Sequence, residues 1–374
     1  MSKPAERYLS LDVLRGLTVA LMIVVNTPGD WSNIYAPFRH AAWHGFTLTD
    51  LVFPTFLFVV GNAISFSQKK FENVSEGVFL GKVFKRTLLI FLIGLFLNAF
   101  PFVHHEDGKL VFEDLGKLRV WGVLQRIALC YCVASLLIRY ISLKGALLFS
   151  AITLPAYWAI LYYFGDSAAP YSLEGNVVTN VDLALLPAKN LYQGFGIPFD
   201  PEGLLSTLPA ISNVIAGYAA GKFIQKNGNN INTVIRLAAA GMVLIIAAQL
   251  WNIAFPINKP IWTSPYVFQT VGLGLIVLSV LMLIIEISGY KKWTYFFTVF
   301  GKNTLFIYAL SGMLIGLFYI IPVGGTVLGS WIYENIMLKI FSGKNASLLF
   351  AVSYMLLLWL IGYVMDKKRI YIKV

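Results

Sequence analysis

TLTDLVFPTFLFVVGNAISFSQ, residues 47–68, carries one charged side chain, Asp50, near its start and no lysine or arginine. A helix needs about 20 mostly apolar residues to cross the hydrocarbon of a bilayer, and this run has that length. Comparable runs lie near 9–28, 83–102, 119–138, 145–164, 203–221, 237–255, 264–286, 294–320 and 345–365. The expected fold is therefore an all-α integral membrane protein of about ten transmembrane helices, with 1–374 as a single transmembrane domain. Composition agrees. Hydrophobic residues make up 58% of the chain and charged ones 13%, whereas soluble domains are about a quarter charged. So few charges cannot cover a soluble surface of this size.

The net charge of +11 would suggest nucleic-acid binding in a soluble protein. Here its distribution between the loops accounts for much of it. With the N-terminus in the cytoplasm, 18 of the 29 Lys and Arg fall on the cytoplasmic side, 8 opposite, and Arg15, Arg126 and Lys302 within spans. That bias puts both termini inside, and no nucleic-acid partner is expected. The first run carries Asp12 and Arg15 and lacks a small-residue cleavage site, so no removable signal peptide is expected. Segment 322–340 is amphipathic and interrupted; it reads as an interfacial or re-entrant helix rather than an eleventh span. Loop 165–202 is rich in Pro and Gly and reads as an irregular loop or short helices rather than a domain. Cys130 and Cys132 read as small core residues without a disulfide.

Polar groups inside a bilayer are costly and tend to be functional. Asp12 and Arg15 are three apart and share a helix face, so they can pair. His40 is followed ten residues later by Asp50, and Asn26 ends the first span. A histidine oriented by a carboxylate is a general-base arrangement; an interfacial histidine with its hydrogen bonds met is the alternative. His40 and His44, four apart, with Asp50 also suit zinc, but the HExxH pattern is absent, and no metal is expected. His104-His105-Glu106-Asp107 is a hydrophilic loop. Further polar points are Gln125, Arg126, Asp200, Glu202, Asn258, Lys259, Lys302, Asn303 and Thr304. No Walker A loop, Rossmann fingerprint or GxSxG elbow occurs, so an anionic cofactor would rely on Arg, Lys and helix ends in the bundle.

The motifs SLDVLRG, VVN, RHAAWHGFTLTDLVFPTFLFVVGNAIS, RVWGVLQRIAL, DPEGLLST, FPINKPIWTSPYV and GKNTLFIY, in this order, resemble the heparan-α-glucosaminide N-acetyltransferase family. The resemblance runs from about residue 8 onward, and the chain looks like a compact bacterial member. It implies a multi-pass protein of the bacterial inner membrane. Such a protein moves acetyl from cytoplasmic acetyl-CoA to the amino group of a terminal glucosamine on the far side. By resemblance His40 is the catalytic histidine, Asn26 the active-site asparagine and Asp50 the acidic partner, while His44 is not essential. Arg15, Gln125, Arg126 and Asn303 fall on the acetyl-CoA side, and Asp200, Glu202, Asn258 and Lys259 on the amino-sugar side. A homodimer is plausible on the same ground. Heparan-type fragments, free glucosamine and wall-derived sugars all remain open as acceptors, as do direct transfer and an acetyl-histidine intermediate. A sugar permease and an O-acyltransferase of an envelope glycan are the competing readings.

Overall fold

The computed structural model describes residues 8–71, 74–106 and 109–372, so Lys3, Arg7, Asp107 and Lys373 lie outside the described residues. The described chain is mostly helical. The main helices are α1 (Leu9–Asn26), α2 (Leu48–Ser67), α3 (Glu76–Ala99), α4 (Val123–Phe164), α5 (Val177–Leu185), α6 (Leu204–Asn227), α7 (Ile231–Trp251), α8 (Ser264–Met282), α9 (Thr294–Lys302) and α10 (Thr304–Phe318). After them come α11 (Leu328–Ile332), a π-turn over Tyr333–Met337, α12 (Leu338–Ile340) and α13 (Gly343–Lys367). Two small antiparallel hairpins are also present: β1 (Val103–Glu106) with β2 (Lys109–Phe112), and β3 (Pro322–Val323) with β4 (Thr326–Val327).

Among the described residues seven helices are long and apolar enough to cross a membrane, or eight if the bent pair α9–α10 is one span. The expected runs 119–138 and 145–164 fall on the 42-residue α4, which breaks at Ser142 (φ 63°). The run 83–102 falls on α3, which carries Lys82, Lys85 and Arg86 and is not among the seven. Residues 328–340 extend only ~20 Å at helical rise, too short for a core ~30 Å thick. This agrees with a surface helix rather than an eleventh span.

The bundle carries apolar residues on its outer face as well as in its core. α7 exposes Met242, Val243, Ile246 and Leu250, and α13 exposes Leu357, Leu360 and Val364, as faces turned to lipid require. With no hydrophobic drive between helices in lipid, close packing needs small residues. α2 and α6 meet in this way. A Cβ on Gly61 would land on the Val214 carbonyl, and one on Gly217 on the Phe58 carbonyl. α2, α6, α8 and α1 form the centre, α4 lies against α6, α7 against α8, and α9 against α1.

A second small core sits under loop 165–202, built on Tyr157, Leu161, Val178, Phe199, Phe255 and Ile261. There Asp182, wholly buried on α5, accepts a hydrogen bond from Leu204 N (2.9 Å) at the start of α6. Burial pushes its carboxyl up from 3.8 to about 6, against the opposing pull of that bond. The folded pKa lies above the unfolded one. Asp182's contribution to stability is therefore fully present below about pH 3.8 and is lost as pH rises through about 6. The loss is on the order of 3 kcal/mol. Asp182→Asn should flatten the pH dependence of thermal unfolding in detergent between these values; an unchanged slope would remove Asp182 as its source.

Candidate active site

The site begins at the first turn of α2. Thr47 is the N-cap and Asp50 the third helical residue. Asp50 Oδ2 accepts from Thr47 N (3.0 Å) and Ala41 N (3.1 Å), and Tyr266 donates its hydroxyl to the Asp50 carbonyl (2.6 Å). The carboxylate is thus fixed and 1% exposed, with Oδ1 left over for His40 Nδ1 at 2.6 Å. The His40 side chain is 48% exposed and borders a cavity of about 490 Å³. The Thr47–Asp50 spacing is a capping box with Asp in the Glu place, a signal in the sequence that Asp50 would be rigid.

The turn after α7 supplies the opposite wall. Asn258, wholly buried, donates its amide to Trp43 O (3.0 Å) and accepts from Ile261 N (2.9 Å). This presents Lys259, whose Nζ is 3.1 Å from His40 Nδ1, 3.3 Å from Nε2 and 3.8 Å from Asp50 Oδ1. Burial pushes the Lys259 ammonium below the usual lysine value, with Asp50 opposing. His44 turns away from His40 and Asp50 and accepts from the Asn258 amide (3.3 Å); burial lowers its pKa. Asn26, the last residue of α1, is exposed on the same cavity, and its amide has no hydrogen-bond partner among the described residues.

Arg119 and Glu202 form the far wall. Arg119 donates to both Asp200 oxygens (2.8 and 2.7 Å) and to Glu202 Oε2 (2.5 Å), with its guanidinium 4.7 Å over the Tyr192 ring. Asp200 is wholly buried behind this wall and acts on the cavity through Arg119. Arg119 was legible only as one more basic residue of an outer loop, because its partners lie about 80 positions away.

A second cavity of about 390 Å³ opens toward the start of α1 and carries three cations. Arg15 pairs with Asp12 (3.4 Å), as expected, and also donates to Gly301 O (3.5 Å). Lys302 is held by Asp366 (2.7 Å). Arg86 lies 4.8 Å over the Tyr131 ring, and its buried Nε has no hydrogen-bond partner among the described residues. An unpartnered guanidinium nitrogen beside two further cations fits an anionic ligand.

The outer cavity therefore gathers Asn26, His40, Asp50, Glu202 and Lys259, and the inner one holds Arg15. Gln125, Arg126 and Asn303 border neither. Arg126 is wholly buried, donates to Gly203 O (3.0 Å) and Ser206 Oγ, and lies over the Trp262 ring. Gln125 donates to Val120 O (3.0 Å). Asn303 sits at the 83° bend between α9 and α10 and holds the segment after α13 through Ile370 O and Ile372 N. Arg86 and Lys302 are the cavity cations that the motifs did not assign to the acetyl-CoA side.

Residues 7–252 match the family model described as heparan-alpha-glucosaminide N-acetyltransferase, catalytic. The chain is similar to the heparan-alpha-glucosaminide N-acetyltransferase of Mus musculus, at 27% identity over 81% of this chain and 53% of the mouse protein. Its similarity to the Homo sapiens protein of the same name is 26% over 82% and 53%. The chain spans about half the length of the curated relatives it matches.

Proposed function

This chain belongs to the heparan-alpha-glucosaminide N-acetyltransferase catalytic family, and on that premise we propose that it is a transmembrane N-acetyltransferase. In this reading acetyl passes from acetyl-CoA, held from the cytoplasm by the inner cavity, to the amino group of a terminal glucosamine in the outer one. The observation that carries the reading is the His40–Asp50 contact of 2.6 Å in a cavity distinct from the one that Arg15, Arg86 and Lys302 line. The reading takes ten spans with both termini cytoplasmic in a bacterial inner membrane, one transmembrane domain and a homodimer.

Acetyl-CoA supplies an acetyl thioester when bound. Arg15, Arg86 and Lys302 face its phosphates as cations in a poorly hydrated setting. His40 is oriented by Asp50: Nδ1–H donates to the carboxylate, which leaves the Nε2 lone pair toward the cavity. An amine attacks a thioester only when neutral. His40 Nε2 takes the amine proton as the C–N bond forms. The C–S bond then breaks, and His40 returns that proton to the departing thiolate. Asn26 and the Lys259 ammonium are placed to donate to the developing oxyanion. Glu202 and Arg119 face the acceptor's polar groups.

Proteoliposomes with acetyl-CoA on one side and glucosamine on the other test this directly. Acetylated glucosamine should accumulate only when both are present on their proper sides. Sugar crossing without acetyl-CoA would replace the reading with a permease, and acetylation of N-acetylglucosamine but not glucosamine would make the acceptor a hydroxyl.

A further inference from the structure

The two cavities share two side chains, Phe56 of α2 and Tyr308 of α10. The rings meet edge to face, 6.3 Å between centroids and 81° between planes. α2 carries one continuous lining stripe: Asp50 and Phe53 face the outer cavity, Phe56 both, and Val60 and Ala63 the inner one. Helical rise puts Phe56 ~9 Å from Asp50 along the axis and ~10 Å from Ala63. On α10, Thr304 faces the inner cavity and Tyr308, one turn on, faces both. The same helices line both spaces, so the cavities are stacked along one axis with this pair between them.

We propose that Phe56 and Tyr308 form the aperture through which the acyl-bearing arm of the donor reaches His40, and that this pair limits the size of the acyl group transferred. The proposal rests on the acetyltransferase reading above. Two rings in contact close the passage at rest; turning one aside opens a gap for a thin flexible chain and not for a hydrated nucleotide, whose charges would also lose their water there. Thus the phosphates stay among the cations of the inner cavity while the thioester advances. The Tyr308 hydroxyl has no hydrogen bond to a described residue, which leaves it available to an amide or carbonyl of the passing arm. The aperture also keeps the wet outer cavity from joining the inner one when no donor fills it.

The test compares acetyl-, propionyl- and butyryl-CoA as donors to glucosamine across proteoliposomes for wild type, Phe56→Ala and Phe56→Trp. Hydrophobic discrimination runs at about tenfold or more per methylene. Phe56→Ala should therefore raise the butyryl-to-acetyl ratio at least about tenfold. Phe56→Trp should cut acetyl transfer at least about tenfold while acetyl-CoA binding to the purified protein stays within about threefold, a loss confined to steps after binding. An unchanged donor ratio in Phe56→Ala, or wild-type transfer in Phe56→Trp, overturns the proposal. If Phe56→Ala loses donor binding through misfolding, Phe56→Leu and Tyr308→Leu are read by the same ratio. Wild-type protein that transfers no acyl group from any donor sinks the acetyltransferase reading instead, so the two failures are distinct.

Discussion

His40→Ala should lower the rate of acetyl transfer by about 10²- to 10⁴-fold, the usual worth of a positioned general base, while acetyl-CoA binding is kept. The binding is spared because His40 belongs to the outer cavity, whereas Arg15, Arg86 and Lys302 line the inner one. Asp50→Asn should cost on the order of 10² or more by a different route. An amide there can offer an N–H to His40 Nδ1 and so stabilise the tautomer that has no lone pair at Nε2. Thr47 N and Ala41 N, which now donate to Asp50 Oδ2, would hold the amide oxygen and direct its NH₂ at the imidazole. Purified variants assayed for both transfer and donor binding decide this. Transfer within about tenfold of wild type in His40→Ala would remove His40 from the chemistry. The same preparations separate the two routes: wild type quenched with acetyl-CoA and no acceptor carries an acetylated His40 only if the transfer is stepwise.

The second large effect lies in packing. Gly217→Val should destabilise the protein by about 3 kcal/mol or more, because its Cβ would occupy the position of the Phe58 carbonyl on α2. The obstacle is backbone, so no side chain can rotate away, and α2 and α6 must separate. That separation would also move Phe56 and Asp50, so activity should fall with stability. Gly81→Ala on α3 is the control: nothing lies within 4 Å of its Cβ, and replacing glycine in a helix should leave stability unchanged or raise it by about 0.5–1 kcal/mol. Thermal unfolding in detergent reads both. A Gly217→Val protein that melts with wild type would show that the α2–α6 approach does not limit stability.

Several features were open to reading in the linear chain because their physics is local or one-dimensional. Length and apolarity mark 47–68 as a helix that can cross a bilayer, whatever packs against it. The Asp12–Arg15 pair follows from a three-residue helical spacing. His40 and Asp50 lie ten positions apart, near enough for the turn between them to bring the two together at 2.6 Å.

What the chain could not disclose is which face each buried polar residue would take. Arg126 and Arg119 lie seven apart on either side of the α4 start. One is sealed against Gly203 and Ser206, and the other lines the cavity with Glu202. Asn258 and Lys259 are adjacent, yet one holds its own turn and the other reaches His40. Arg86 reads in sequence as a loop-side cation; the packing of α3 on α4 lays it over Tyr131 beside the inner cavity. The stretch 47–68 alone establishes an apolar helix with a carboxylate at one end. Only the packing of α1, α4 and α10 around it makes Phe56, midway along the stripe, the boundary between two chambers. A cavity is a property of surfaces brought together from distant parts of the chain, and no single run of residues contains it.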